Sequence, residues 1–204
     1  MDKWSVNWQG LIVWDEEGDD DELYFKDEMG RMTNLKVVVS NGDILRALSA
    51  TNGSFSSYTS DTGINDIFKV FKFVADNTNV EWVIHKNGDT YTIGTKHDPD
   101  NAGGWGDYGL EQPDASVHSH PGIGISEKAE LNSMGYRIEK GQKKASGDWK
   151  NVVVDFKKNG KQTRMNYVYF PNSSHLYHVE PRIPRYIRNV NNYRNFYFGT
   201  LNNR

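Results

Sequence analysis

The residues best suited to chemistry lie in the segment VHSHPGIGISEKAE, residues 117–130. His118 and His120 are one residue apart at the end of a predicted strand, and strand side chains alternate with a period of two, so both imidazoles project to one face. Two histidine nitrogens on one face can bind a single zinc ion at about 2.0 to 2.1 Å. Pro121 ends the strand, and a helix after it would bring a carboxylate from its first turn to the same ion.

Two histidines and one carboxylate leave a fourth position for water, which is typical of a catalytic zinc site. That water needs a general base. Glu81, between Val80 and Trp82, is the only upstream carboxylate in a compact apolar context. We therefore predict that Glu81 is the base. The simpler alternative is a histidine pair that only forms hydrogen bonds within a turn.

The elements that must position these residues follow from the spacing of apolar side chains. Ile64, Ile67, Phe68, Phe71 and Val74 lie on one helical face, which predicts a helix over residues 64–77 with Asp61 or Thr62 as N-cap. An Asn-Gly pair predicts a β-hairpin over residues 79–95. Further elements are predicted as a strand over 115–120, a helix with Ser126 as N-cap, and strands over 151–156, 165–170 and 175–179.

The first part of the chain predicts a small antiparallel segment of short strands over residues 4–40. The acidic run DEEGDDDE at residues 15–22 is interpreted as a solvated loop, because it lacks the order of a calcium loop. Residues 49–63 are rich in Ser, Thr, Gly and Asn, which favours a linker and a domain boundary there.

Composition excludes several classes of protein. Without cysteine the chain has no disulfide framework, thiolate zinc site or cysteine nucleophile. A net charge of -3 argues against general attraction to nucleic acid. No apolar run approaches the ~20 residues that span a bilayer, and the start of the sequence lacks a signal-peptide pattern, so we predict a soluble chain that does not act at a membrane.

The order of these residues resembles the JAMM (JAB/MPN) metallopeptidase family over residues 60–180. The family's pattern is a Glu on an early strand, then H-x-H-P, then S-x-x-D. The resemblance implies an α+β fold, with a JAMM/cytidine-deaminase-like mixed sheet flanked by helices and a small β-rich N-terminal segment. It further implies Zn2+ on His118 and His120, Glu81 activating the zinc-bound water for attack on a peptide or isopeptide carbonyl, and Ser126 donating a hydrogen bond to the developing oxyanion.

The sequence departs from this pattern three residues after Ser126, where Ala129 stands in place of Asp. Glu130, one residue later with a longer side chain, is our predicted third metal ligand. Glu127 and Asp148 are the alternatives. If none of them completes the site, the protein would be a catalytically degenerate JAMM-fold binding module without metal.

The segments HSHPG and NYVYFPNSS, followed by LYHV, look like the carboxy-terminal toxin modules of bacterial Rhs-type polymorphic toxins. That resemblance implies a delivered effector with a protein or peptide substrate and an immunity protein as partner. Residues 1–50 would then be a leader or junction segment and residues 60–180 the metallopeptidase domain.

Residues 181–204 form a basic, aromatic tail with five arginines and no acid. We predict that its aromatic side chains pack on the core while its arginines face water. The alternative is an anionic partner, such as an acidic protein face or RNA. The remaining histidines are predicted to be surface or packing residues; they are His85, His97, His175 and His178.

Overall fold

We describe a computed structural model of the 204-residue chain. The structure describes residues 1–50, 54–121, 136–139, 142–145, 158–159, 164–179 and 185–189. In these ranges no helix is both long and apolar enough to cross a membrane.

The N-terminal part forms a four-stranded sheet with the strand order β2-β1-β3-β4. Its strands are β1 (Asp2–Val6), β2 (Ile12–Glu17), β3 (Asp21–Lys26) and β4 (Met32–Val39). The predicted strands are therefore confirmed, but the purely antiparallel arrangement is wrong, since β1 pairs with β3 in parallel. A short helix, α1 (Asp43–Ser49), follows the sheet and was not predicted.

The acidic run is not simply a solvated loop, because its two ends belong to β2 and β3. Three of its carboxylates form ion pairs with lysines of this sheet. Glu22 is 8% exposed and pairs with Lys36, whose hydrogen bond lowers the pKa of that carboxyl group. These lysines, on other strands of the same sheet, offset part of the repulsion among the carboxylates.

A seven-stranded mixed sheet occupies the rest of the fold, with the strand order β13-β12-β11-β8-β6-β7-β5. The strands flanking the site are β6 (Trp82–Asn87), β7 (Thr90–Thr95), β8 (Ala115–Ser119) and β11 (Met165–Phe170). The outer strands are β5 (Ser56–Ser60), β12 (His175–His178) and β13 (Arg185–Asn189), and a separate hairpin pairs β9 (Tyr136–Glu139) with β10 (Gln142–Ala145). This mixed arrangement confirms the predicted α+β fold with a β-rich N-terminal segment.

Helix α2 (Ile64–Asn77) confirms the predicted helix at both ends. Its N-cap is Gly63 in the left-handed conformation, with φ of 66°, and not Asp61 or Thr62. Glycine adopts this conformation without a Cβ clash, so the chain turns into the helix without a side-chain cap. Part of the predicted linker is also corrected, because residues 56–60 form β5 and pair with β7.

One continuous hydrophobic core joins α2, the inner face of the large sheet and the N-terminal sheet. Trp82 and Phe71 are fully buried in it. Tyr169 of β11 is also fully buried, and its hydroxyl donates to Asp76 Oδ1 at 2.6 Å and accepts from Lys72 Nζ at 3.0 Å. These contacts fix α2 on one face of the sheet, so the other face is the one that can carry a site.

Candidate metal and catalytic site

The alternation of side chains along β6 and β8 decides which residues leave the core. On β8, Ala115 and Val117 pack into the core, so Ser116 and His118 must project from the opposite face. Val83 of β6 lies opposite His118 in the antiparallel ladder. The histidine motif is therefore presented by a central strand of the sheet.

The two histidines of the motif converge through the same ring nitrogen. His118 Nε2 lies 3.0 Å from His120 Nε2. Two nitrogens bound to one tetrahedral zinc ion would lie about 3.3 Å apart, so this spacing fits a shared metal ion as well as a shared proton. The backbone N–H of His120 donates to the Tyr169 carbonyl at 2.9 Å, which holds the end of the motif against β11.

Glu81 lies just before β6 and is 8% exposed. Its backbone N–H donates to the Asp98 carbonyl at 2.9 Å, and its own carbonyl accepts from Thr95 Oγ1 at 2.7 Å. Carboxylate atom Oε2 accepts from the Ala102 N–H at 3.0 Å, and Oε1 lies 3.7 Å from His120 Nε2. The loop after β7 thus orients the carboxylate towards the histidine pair.

Ser119, between the two histidines, connects β8 to the first residue of β6, which directly follows the predicted base. Its side chain is fully buried, and Oγ accepts a hydrogen bond from the Trp82 N–H at 3.0 Å. Trp82 directly follows Glu81, and its indole Nε1 donates to Thr78 Oγ1 at 3.0 Å. These buried hydrogen bonds fix the relative position of base and histidines.

A cleft of about 400 Å³ opens beside these residues. The sheet supplies its floor, the loop after β7 supplies one wall, and Arg164, directly before β11, also lines it. The floor residues are Glu81, Val83, His85, Ser116, His118 and Asn166. The cleft gives a substrate access to both Glu81 and His118.

Burial determines the charge of one residue on the cleft floor, His85. His85 is 5% exposed, and burial, helped by the positive charges that His118 and Arg164 can carry, lowers its pKa to about 4. Desolvation disfavours the charged form of a histidine. The His85 side chain is therefore neutral at physiological pH.

The structure brings three predicted site residues together: Glu81, His118 and His120. Ser126, Glu130, Glu127 and Asp148 lie outside the described residues. Within the described ranges, no group of three His, Asp or Glu side chains is arranged to hold a metal ion by itself. The histidine pair thus fits part of a zinc ligand set, and the third ligand stays a prediction.

Comparison with known proteins adds one finding. Residues 59–153 match the model of the family described as JAB-like toxin 1. The chain contains a JAB-like toxin domain. The matched range of this domain includes Glu81, the histidine motif and all of the predicted third ligands. Searches of the curated proteins and of the solved structures found no match.

Three residues that line the cleft were not singled out from the sequence: Ser116, Asn166 and Arg164. His85 was predicted to be a surface or packing residue, and it is buried and also lines the cleft. The place of Ser116 beside His118 could have been predicted from the sequence, because residues two apart on a strand share a face. The places of Asn166 and Arg164 could not have been predicted in this way, since they depend on which strand pairs with β8.

Proposed function

We propose that the JAB-like toxin domain is a zinc-dependent peptidase or isopeptidase. One observation carries the proposal: the Nε2 atoms of His118 and His120 and the carboxylate of Glu81 converge at a cleft. Zinc bound there would act as a Lewis acid and would lower the pKa of a bound water to about 7. His118 and His120 would hold the ion, and Glu130 is our candidate for the third ligand.

The chain's own residues support hydrolysis. Glu81 Oε2 is engaged by a backbone N–H while Oε1 faces the histidines, so the carboxylate is oriented before substrate binds. Oε1 is the atom that we expect to take a proton from the attacking water and deliver it to the leaving amine. Ser126 is proposed to donate a hydrogen bond to the developing oxyanion.

The metal content of the purified protein tests the first part of the proposal. We expect one zinc ion per chain, and loss of that ion in the variant His120→Ala. Glu130→Ala should weaken zinc affinity, with Glu127→Ala and Asp148→Ala as matched variants that should not. A protein that is purified without metal and takes up none from added zinc would support the metal-free binding module instead.

Turnover tests the second part. In a screen of linear and isopeptide-linked peptides, the wild-type protein should cleave at least one substrate, and Glu81→Gln should keep zinc but lose cleavage. Persistent cleavage by Glu81→Gln would remove Glu81 from its role. Glu111→Gln, in the exposed loop before β8, is a matched control that should leave cleavage unchanged.

We further propose that the domain is the effector of an Rhs-type polymorphic toxin and that an immunity protein is its partner. The toxin family supports this proposal. Expression inside bacterial cells should arrest growth, and Glu81→Gln should restore it at equal protein level. Growth arrest by both forms would separate toxicity from peptidase activity.

A further inference from the structure

A row of polar side chains crosses three neighbouring strands on the cleft face. His85 on β6 lies opposite Ser116 on β8, and Ser116 lies opposite Asn166 on β11. We call these three residues the polar row. Ser116 precedes His118 by two residues, so the row runs beside the histidine pair on the same face.

Two atoms of the polar row are buried without a hydrogen-bond partner among the described residues. His85 Nδ1 lies 2.8 Å from Ser116 Oγ, while His85 Nε2 and Asn166 Nδ2 have no partner there. Buried polar atoms are nearly always paired, because leaving one unpaired costs free energy. Both residues line the cleft, so a group bound in the cleft is well placed to complete the pairing.

The polar row offers hydrogen-bond donors. Asn166 Nδ2 can only donate. If Ser116 donates its hydroxyl proton to Nδ1 of the neutral His85, then Nε2 carries the ring proton and is a donor as well. Arg164, directly before β11, is the only permanently cationic side chain among the described residues that line the cleft. Its guanidinium group can donate only.

We propose that the polar row and Arg164 form a subsite that binds a carboxylate of the substrate. A carboxylate accepts hydrogen bonds, so it can pair with the donors of the row. Its negative charge is complementary to the positive charge of Arg164. Among the described residues, the carboxylates that line the cleft are Glu81, which the Ala102 N–H holds in place, and Asp100 on the loop wall. The bound carboxylate belongs either to the carboxy terminus of a peptide or to an Asp or Glu side chain beside the cleaved bond.

The position of this subsite relative to a cleaved bond rests on the proposed peptidase function, but carboxylate binding itself does not. Binding is measured by NMR on the full chain, by following the side-chain amide of Asn166 and the ring of His85. The probes are N-acetyl-alanyl-alanine, its carboxy-terminal amide, N-acetyl-glutamate amide and N-acetyl-glutamine amide. The first two probes test a terminal carboxylate, and the last two test a side-chain carboxylate.

We expect saturable shifts with at least one acidic probe and none with its amide counterpart. Arg164→Gln should weaken binding of that probe by about tenfold or more, because it removes a charge-assisted contact. Asn166→Leu should weaken it as well, and Arg164→Lys should retain part of the affinity. Arg31→Gln is the matched control, since Arg31 is exposed in the turn before β4 and does not line the cleft.

Three outcomes would overturn the subsite. They are equal binding of the acidic and amide probes, equal weakening by Arg164→Gln and Arg31→Gln, and no saturable shift at about 10 mM probe. The titrations are run on the protein as purified and after chelation. Binding that disappears with chelation and is insensitive to Arg164→Gln would place the carboxylate on a metal ion and would also overturn the subsite.

The two proposals can fail separately. If an acidic probe binds through Arg164 but no peptide is cleaved, the peptidase function fails and the subsite stands. If peptides are cleaved at equal rates with acidic and amidated ends and side chains, and no probe binds, the subsite fails and the peptidase function stands.

Discussion

Acid should destabilise the folded chain through His85. Its pKa is lowered from 6.5 to about 4 by burial and by the neighbouring His118 and Arg164. The unfolded chain therefore binds the proton more tightly than the folded chain, and stability falls as the pH falls from about 6.5 towards 4. Above 6.5 the stability contributed by the neutral ring is fully present.

The size of this effect follows from the two pKa values. Between pH 7 and pH 5, the difference in proton binding amounts to about 2 kcal/mol of unfolding free energy. Urea unfolding of the wild type and of His85→Gln at both pH values measures it, because all other titrating groups are common to the two proteins. The wild type should lose about 2 kcal/mol more than the variant between the two pH values.

A variant at the neighbouring position supplies the control for this experiment. Ser116→Ala removes the hydrogen-bond partner of His85 Nδ1 but leaves the buried ring in place. Its stability should be lower at both pH values, with the pH dependence of the wild type retained. If His85→Gln and the wild type lose equal stability in acid, the inferred neutral state of His85 is wrong.

Three further substitutions test the hydrogen bonds and packing around the site, with the free energy of unfolding measured by chemical denaturation. Ser119→Ala should cost about 1 to 3 kcal/mol, because the buried Trp82 N–H loses its acceptor. Tyr169→Phe should cost a similar amount by removing the hydroxyl that joins β11 to α2, and unchanged stability would dismiss that contact. Gly94→Ala should cost about 1 to 3 kcal/mol, because the added Cβ would lie 2.7 Å from the Tyr108 ring; a stable variant with Tyr108 in place would contradict this packing.

Local rules predicted the elements that carry the histidine motif and the base. Helix α2 has its apolar residues on one face, the β6–β7 hairpin has an Asn-Gly turn, and the motif follows the two-residue period of a strand. Each of these patterns depends on residues that are close together in the chain. The pairing of Glu81 with the histidines came from its apolar context and from the need of a bound water for a base, because 39 positions, 81 to 120, separate Glu81 from His120 and no local spacing rule links them.

Long-range pairing accounts for what the sequence did not predict. The parallel contact between β1 and β3 and the addition of β5 beside β7 depend on partners elsewhere in the chain. Helix α1 is only seven residues long and has no side-chain cap, so its pattern was weak. The polar row is a product of strand register, since a shift of one residue in β11 would turn Asn166 into the core.

Glu81 offers a way to separate catalysis from structure. Burying a carboxylate is costly unless its interactions compensate, and Gln at this position would keep an oxygen that can accept from the Ala102 N–H. If the domain were only a metal-free binding module, Glu81→Gln would leave its stability unchanged or raise it, and no activity would be lost. If Glu81 is the base, the same variant should again be at least as stable, yet lose turnover while His118 and His120 still bind zinc. Unimpaired folding with lost turnover would therefore identify a carboxylate whose charge serves the reaction and not the fold.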